Sequence, residues 1–544
     1  MIPQRLNVMG LMGLWARLAQ GRWGVALCCL LAGLSAALAH PPFGVLPGLL
    51  GYGLALHLMD QDNGSPHRLR AGFWRGWLFG LAYFFVSTWW VGEAFLVEIE
   101  LYGWMAPIAV LSLSGGLALF WGAAGLTYRW VLPKRATALA RIATFVLVFS
   151  VAEWLRGHVL TGFAWNLPGE TWRAGSAPSQ MASLVGAYGL SVITLWISGS
   201  FGLVLRQDQR RQGLVLAGLG VALMAGLYGF GMVRLGGASP PSASGPVVRI
   251  VQANIAQSAK WTPENFRNIL AKYTALTALP SKGPFPAVVI WPEGAIPAAL
   301  DDYLAPGSWT RDVVTASLKP GQVLMLGGYR LGGSVDRPVY YNSLLGIRRE
   351  GADLKVTGVY DKFRLVPFGE YLPLGEILGR LGIRRLVHAP DDFTPGPRPQ
   401  PVQFDGLPLV QPLICYESLF PGFTRQGAVL SGRRAAWILN VSNDAWFGKT
   451  SGPWQHLNIA SYRAIEEGLP MVRSTPTGIS AVIDAYGRRS AAQSLVQGAE
   501  GVIDVALPDA LPPTVYSRFG DGPFGIMLLI IITIILVSRY RKAI

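Results

Sequence analysis

Three residues of types that can carry acyl transfer lie in the C-terminal half of the sequence, each after an apolar, β-branched run. Glu293 stands in WPEGAIP, Lys362 in YDKFRLVPFGEYLP and Cys415 in ICYESLFP. Cys415 is the one cysteine outside the N-terminal pair Cys28 and Cys29. Polar residues that follow strands lie at the sheet edge where α/β folds present reactive groups. The pattern therefore predicts a carboxylate, a cation and a nucleophile at one site.

These residue types supply the parts that acyl transfer needs. Cys415 would attack an ester carbonyl as a thiolate, while Glu293 takes the thiol proton and returns it to the leaving alcohol. Lys362, helped by the backbone N–H of Tyr416, would stabilise the tetrahedral oxyanion. The sequence has no G-x-S-x-G elbow, no HExxH or paired-cysteine metal motif and no glycine-rich phosphate loop. We therefore expect neither a metal nor a cofactor.

Other residues near these motifs leave alternatives open. A Cys–His dyad would need His388 or His456, and neither lies in a recognised protease motif. Glu417, two residues after Cys415, either shapes the pocket or caps the following helix.

The elements that must position these residues form one α/β or α+β domain. Strands are predicted at 247–255, 287–293, 322–330, 341–347, 354–362, 409–417 and 435–444, and helices at 261–277 and 456–468. A linker of small residues precedes this region. The predicted organisation is a membrane domain at 1–235, the linker at 236–246, a catalytic domain at 247–507, and a last span with its tail at 508–544.

The rest of the chain has the composition of a membrane protein. Of its 544 residues 51% are hydrophobic and only 14% are charged, against about 25% charged in ordinary soluble domains. A membrane span needs about 20 mostly apolar residues. Eight segments approach this pattern: 23–39, 43–59, 74–96, 104–128, 142–160, 182–205, 213–234 and 523–539.

The basic residues predict the orientation of these spans. The net charge is +15, and its excess lies mainly in the apolar parts, which favours membrane topology over nucleic-acid binding. With the N-terminus in the cytoplasm, most Lys and Arg of the short loops fall on the cytoplasmic side. The short loops of the other side hold Arg156, Arg173, Arg234 and Arg518. Both termini are therefore expected in the cytoplasm and the catalytic domain outside, in the periplasm of a cell with two membranes.

Some polar residues near the membrane also carry expectations. Glu93 lies in a tryptophan-rich outer loop and is expected to be a solvated acid. Glu153 and Arg156, three apart on one helix face, are either an ion pair or a contact for lipid headgroups. The Gly-, Pro- and Trp-rich stretch 161–172 is expected to dip into the outer interface.

The motifs around Glu293, Lys362 and Cys415, in that order, resemble the nitrilase superfamily of carbon–nitrogen hydrolases. With the flanking spans the sequence is similar to the apolipoprotein N-acyltransferase family of bacterial membrane enzymes. The similarity is densest from 251–261 through 440–448, 452–456 and 472–484. It implies an α-β-β-α sandwich and adds Glu370 as a carboxylate that orients Lys362, although Glu370 could instead be an acid at a helix start.

The same resemblance implies a two-step cycle in the bacterial inner membrane. A glycerophospholipid would acylate Cys415, and the α-amino group of an S-diacylglyceryl-cysteine at the N-terminus of an apolipoprotein would then attack the thioester. Two other functions stay open: a membrane-tethered nitrilase or amidase that hydrolyses a small amide, and a transporter or scaffold with an inactive outer domain.

Further residues are candidates for binding the lipid substrates. Trp261 and Trp446 lie in the segments that carry the resemblance. In the segment 371–386, Leu374, Leu378 and Leu381 recur at helical spacing beside several arginines. This segment is expected either to rest on the outer leaflet and gate acyl-chain entry, or to be an ordinary helix packed on the core.

Overall fold

The computed structural model of the chain describes residues 21–61, 67–133, 135–238, 244–260, 263–281, 283–334, 336–373, 375 and 392–540. Its helices of five or more residues are α1 Arg22–Leu38, α2 Leu50–Asp60, α3 Arg68–Thr88, α4 Ala106–Val131, α5 Ala138–His158, α6 Ala182–Gly202, α7 Arg210–Gly236, α8 Phe266–Ala278, α9 Trp309–Ser317, α10 Phe423–Ser431, α11 Gly452–Glu467, α12 Val515–Phe519 and α13 Gly522–Tyr540. Four-residue helices lie at Glu93–Leu96, Ile99–Tyr102, Gln257–Lys260 and Leu300–Tyr303.

Six helical stretches of the described chain are long and apolar enough to cross a membrane. They are Arg68–Leu96, Ile99–Val131, Ala138–Thr161, Pro178–Leu205, Gln207–Gly236 and Gly522–Arg539. Helix α1 has 17 residues and α2 has 11, so they extend roughly 26 and 17 Å, against a hydrocarbon core about 30 Å thick. The predicted helical membrane domain is confirmed, and the first two of the eight predicted spans are shorter than the rest.

The strands form two sheets. They are β1 Val247–Gln252, β2 Val288–Trp291, β3 Val323–Ser334, β4 Arg337–Glu350, β5 Asp353–Asp361, β6 Val410–Ile414, β7 Trp437–Val441, β8 Met471–Ser474, β9 Ser480–Ile483, β10 Ser494–Leu495 and β11 Gly501–Ala506. One sheet has the order β11-β1-β2-β3-β4-β5 and the other β10-β9-β8-β7-β6. In each sheet three successive strands run parallel and the remaining pairs run antiparallel.

The two sheets pack face to face because alternate residues of their strands are apolar. In β2, Val288 and Ile290 belong to the core between the sheets, whereas Val289 and Trp291 face α8 and α9. The outer face of the second sheet packs on α11 through Ile459. The layers are helix, sheet, sheet and helix, which confirms the predicted α-β-β-α sandwich.

Helix α11 also joins the sandwich to the membrane helices. It lies against the loop between α5 and α6, whose residues 164–172 are buried. The hydrogen bonds that connect the two include Trp165 Nε1 to Gln455 Oε1 (2.8 Å), Asn458 Nδ2 to Glu170 O (2.9 Å) and Tyr462 OH to Gly169 O (3.0 Å). The loop predicted to dip into the outer interface is thus the part of the membrane domain on which α11 of the sandwich packs.

A buried ion pair holds this loop from the membrane side. Glu153 and Arg156 of α5 pair with each other, and Arg156 Nη1 also donates to Trp165 O at 3.0 Å. Both side chains are buried, so the structure favours the ion pair over a contact with lipid headgroups.

Candidate active site

Glu293 is fixed by donors from both sheets. It follows β2 by two residues, and its carboxylate is buried. Its Oε1 accepts hydrogen bonds from Asn342 Nδ2 (2.7 Å) and Lys362 Nζ (3.2 Å), and its Oε2 accepts one from Asn443 N (2.8 Å). Burial favours the neutral acid, but the Lys362 charge and these donors prevail and lower the pKa of Glu293. The carboxylate is therefore ionised at neutral pH and can accept a proton.

Lys362 lies between two carboxylates. It follows β5 directly, and its backbone N–H donates to Asn342 O at 2.8 Å. Its Nζ donates to Glu293 Oε1 (3.2 Å) and to Glu370 Oε1 (2.9 Å). Burial disfavours the cation, yet the charges of Glu293 and Glu370 outweigh it and raise the pKa of Lys362. The ammonium group therefore stays protonated at the site.

Asn342 of β4 completes this cluster, and the sequence analysis missed it. Its Nδ2 donates to Glu293 Oε1 (2.7 Å) and to Glu370 Oε1 (2.6 Å). Glu370 Oε2 in turn accepts from Val366 N at 2.8 Å, which closes the loop after Lys362. Glu370 therefore lies where a residue that orients Lys362 would lie, and the alternative of a simple helix-start acid finds no support in these contacts.

Cys415 begins the turn that follows β6. Its backbone has a φ of 48°, in the left-handed region that non-glycine residues rarely adopt. Its thiol is partly buried, and the pKa of Cys415 is raised by burial and by the charge of Glu293, against the lowering effect of Lys362. The charges of Glu293 and Lys362 therefore both act on the Cys415 thiol. Because its pKa is raised, Cys415 is a neutral thiol at rest. Strained backbone of this kind is concentrated at functional sites.

Glu417 ties the Cys415 turn to the Lys362 loop. Its Oε2 accepts from Ile414 N (2.8 Å), and its Oε1 accepts from Tyr360 OH (2.9 Å), Phe363 N (2.7 Å) and Arg364 N (3.2 Å). Burial raises the pKa of Glu417 to about 7, although these donors oppose the shift. Of the two sequence interpretations, the contacts favour a residue that shapes the pocket.

The side chain of Tyr416 points away from this cluster, toward the membrane helices. Its hydroxyl donates to Gly162 O, in the loop after α5. Its ring packs against Phe420 at a centroid distance of 5.1 Å. The predicted contribution of Tyr416 to an oxyanion site therefore belongs to its backbone N–H, while its side chain joins the two halves of the molecule.

His456, which the sequence analysis considered only as a partner in a Cys–His dyad, supports the Cys415 turn. His456 Nε2 lies 3.0 Å from Ser418 Oγ and 3.3 Å from Cys415 O, and its Nδ1 lies 2.9 Å from Asp444 Oδ1. Burial and the charge of Arg473 lower the pKa of His456. A neutral imidazole that contacts the carbonyl of Cys415 positions the turn and does not form a Cys–His dyad through these contacts.

The residues predicted to bind substrate are described only in part. Trp446 is half-buried in the turn Asp444–Phe447 after β7. The next residue, Phe447, packs on Trp90 at a centroid distance of 4.3 Å, and Glu93 approaches Gly448. Glu93 thus lies against the sandwich rather than in open solvent. Trp261, Leu374, Leu378, Leu381 and most of the predicted gate 371–386 lie outside the described residues.

Within the part of the chain that the structure describes, no group of three or more His, Cys, Asp or Glu residues could hold a metal ion. The chemistry of the cluster is that of a carboxylate, an ammonium group and a thiol.

Comparison with known proteins follows the same division of the chain. Residues 247–511 match the family described as carbon-nitrogen hydrolase, and this match together with the paired sheets defines a catalytic domain of that class. Residues 32–200 match the apolipoprotein N-acyltransferase N-terminal domain. The chain belongs to the apolipoprotein N-acyltransferase family, whose name does not fit the alternative of a membrane-tethered amidase.

Relatives match this chain in sequence over nearly their whole length. The chain is 54% identical to the apolipoprotein N-acyltransferase of Caulobacter vibrioides over 528 residues, which cover 97% of each chain. It is 36% identical to the apolipoprotein N-acyltransferase of Allorhizobium ampelinum, over 95% of this chain and 96% of the relative. It is also 36% identical to that of Brucella melitensis, over 95% of each.

Proposed function

We propose that this protein moves an acyl chain from a glycerophospholipid, through a thioester on Cys415, to the α-amino group of the S-diacylglyceryl-cysteine of apolipoproteins. The observation that carries this proposal is the buried Glu293–Lys362 pair, whose two charges both act on the Cys415 thiol. Family membership supports the lipoprotein as acceptor and the membrane as the place of reaction.

In the first step Glu293 acts as the general base. The raised pKa of Cys415 means that a resting thiol must lose its proton during attack, and the ionised Glu293 carboxylate accepts it. The sulfur attacks the ester carbonyl carbon, and Lys362 with the N–H of Tyr416 stabilises the oxyanion. When the C–O bond breaks, Glu293 returns the proton to the leaving oxygen, and a lysophospholipid leaves. Cys415 retains the acyl group as a thioester.

In the second step the α-amino group of the acceptor attacks the thioester. Glu293 accepts a proton from the attacking nitrogen, the C–S bond breaks, and the Cys415 thiolate recovers that proton. The products are the N-acylated lipoprotein and the starting enzyme. Tyr416, through its bond to Gly162 in the loop after α5, keeps this chemistry beside the membrane helices, where water that would hydrolyse the thioester is scarce.

The orientation is part of the proposal. We place residues 247–507, the catalytic domain, in the periplasm and both termini in the cytoplasm. The reason is that the short loops on the same side as the catalytic domain are poor in Lys and Arg, whereas the cytoplasmic loops are rich in them. The same division keeps 1–235, 236–246 and 508–544 as the membrane domain, the linker and the last span with its tail.

The experiment uses the full-length protein in detergent micelles. It is incubated with a phospholipid labelled in its acyl chain, with and without a diacylglyceryl lipopeptide that has a free α-amino group. We expect one lysophospholipid for each N-acylated peptide, and with no acceptor no more than one lysophospholipid per enzyme. Continuous release of free fatty acid without transfer to the peptide would instead indicate a hydrolase. A lipopeptide with an acetylated amino group is the control acceptor.

A further inference from the structure

Arg364 brings a cation to the junction of the Cys415 turn and the membrane helices. It lies two residues after Lys362, and its backbone N–H donates to Glu417 Oε1 at 3.2 Å. Its guanidinium lies over the ring of Phe420 at 4.1 Å, and its Nη1 donates to Thr161 O at 3.1 Å. One side chain therefore contacts the turn of the nucleophile and the loop that leaves α5.

The guanidinium of Arg364 forms no ion pair with a described carboxylate. The ion pairs of the described residues do not include it, and its buried Nε has no hydrogen-bond partner among them. Three other buried arginines around the site each pair with an acid: Arg156 with Glu153, Arg463 with Glu466 and Arg473 with Asp444. Burial lowers the pKa of Arg364 although the nearby charge of Glu417 opposes the shift, as expected for a partly desolvated cation whose guanidinium has no ion-pair partner. Such a cation is suited to an anionic ligand.

Exposed apolar side chains flank this cation. Leu160, which precedes Thr161, is 86% exposed, and Phe368, at the tip of the loop after Arg364, is 50% exposed. Leu160, Thr161 and Phe368 have φ angles of 54°, 75° and 62°. For such bulky residues this left-handed backbone is strained. Leu160 is thus exposed at the end of the candidate span Ala138–Thr161, and Phe368 is exposed in the loop that carries Arg364.

We propose that Arg364 binds the phosphodiester of the glycerophospholipid donor while Leu160 and Phe368 contact its acyl chains. This inference rests on the proposed function and names the residues that recognise the donor. The planar guanidinium can donate two parallel hydrogen bonds to phosphate oxygens. Because the apolar side chains of Leu160 and Phe368 are exposed near Arg364, the site favours a lipid phosphodiester over free phosphate. Because Glu417 joins the Arg364 backbone to the Cys415 turn, phosphate binding would hold the adjacent ester at the sulfur.

The test compares two acyl donors on the full-length protein in detergent micelles. Phosphatidylglycerol carries the phosphodiester, whereas the p-nitrophenyl ester of the same fatty acid does not. For the Arg364→Gln variant we expect the half-saturating concentration of phosphatidylglycerol for Cys415 acylation to rise about 10- to 100-fold, the usual value of a charged hydrogen bond. Acylation by the p-nitrophenyl ester should change less than twofold, and Arg364→Lys should recover part of the phospholipid affinity.

Arg425→Gln is the matched control, because the Arg425 guanidinium also donates to a backbone carbonyl, that of Arg518, away from the Cys415 turn. Equal losses with both donors would show that Arg364 only holds the loop after α5 in place. An unchanged phospholipid affinity would show that Arg364 does not contact the phosphate. Either result would overturn this inference and leave the proposed function standing. A wild-type protein that accepts the p-nitrophenyl ester but no phospholipid would overturn the proposed donor and this inference with it.

Discussion

The backbone N–H of Asn443 donates to Glu293 Oε2 at 2.8 Å and thereby joins the proposed base to the opposite sheet. Glu293 follows a strand of the first sheet, whereas Asn443 follows a strand of the second. The other carboxylate oxygen is held by Asn342 and Lys362. The direction in which Glu293 can accept a proton is therefore set by the packing of the two sheets, and any change that shifts one sheet against the other should impair proton transfer.

Replacement of Lys362 tests the oxyanion role. We expect Lys362→Ala to slow thioester formation by about 10²–10³-fold, the usual effect of removing an oxyanion donor, with phospholipid binding largely retained. Rapid-quench measurement of Cys415 acylation gives the rate, and the exposed Lys355→Ala serves as control. Because Glu293 and Glu370 would then face each other without a cation, the double variant Lys362→Ala with Glu370→Gln separates charge repulsion from lost catalysis. A Lys362→Ala protein with more than half the wild-type rate would contradict the role.

The pH dependence of thiol alkylation tests the coupling between Glu293 and Cys415. The negative charge of Glu293 raises the pKa of Cys415, so neutralising it lowers that pKa and makes the thiolate available at lower pH. In a Cys28→Ser, Cys29→Ser background we therefore expect Glu293→Gln to shift the iodoacetamide profile of Cys415 toward lower pH. The same variant should acylate more slowly by about 10²–10⁴-fold, because it lacks the base. A profile that stays in place or moves to higher pH would argue against an ionised Glu293 beside the sulfur.

Glu417 is expected to be essential for the stability of the site. In Glu417→Ala the donors Ile414 N, Phe363 N and Tyr360 OH lose their acceptor, and each buried donor left unpaired costs about 1–3 kcal/mol. Thermal unfolding in detergent should shift to lower temperature by several degrees, with a parallel loss of acylation. The exposed Glu350→Ala is the control. If Glu417→Ala melts with the wild type, its hydrogen bonds do not hold the turn.

Reporter fusions test the proposed orientation. An alkaline phosphatase fused after Gly245, at the end of the linker, should be active, since we place the catalytic domain outside the cytoplasm. Alkaline phosphatase fused after Arg211, at the N-terminal end of α7 and so at the opposite end of this span, should be inactive. The reverse pattern would invert the topology and remove the periplasmic lipoprotein from reach of Cys415.

The positions of Glu293, Lys362 and Cys415 could be predicted from the sequence because each residue follows a strand. β2, β5 and β6 end close to Glu293, Lys362 and Cys415, and β-branched runs identify such strands without tertiary information. The motif resemblance then supplied Glu370, whose contact with Lys362 no local pattern reveals. The strands β8, β9 and β10 were not predicted, because segments of four residues or fewer carry little periodicity, and the six-residue β11 was also missed.

The sequence could not predict the groups that position these residues. Asn342 and His456 reach the site only because sheets and helices pack in a particular way, and isolated Asn or His residues are common on ordinary surfaces. Glu93 illustrates the converse: its tryptophan-rich loop indicated a solvated acid, yet the sandwich packs against it. Burial of a polar residue by a distant part of the chain leaves no local signal in the sequence.

The acyl group on Cys415 is the most direct test of the mechanism. Full-length protein is incubated, without acceptor, with a phospholipid whose acyl chain carries an isotopic label, and then digested for mass spectrometry. We expect one labelled acyl group on the peptide that contains Cys415, released by neutral hydroxylamine and transferred to a diacylglyceryl lipopeptide when that is added. Cys415→Ser should form no adduct, and Cys415→Ala should be inactive but fold normally. A labelled acyl group on any other residue of the wild-type protein would contradict Cys415 as the nucleophile.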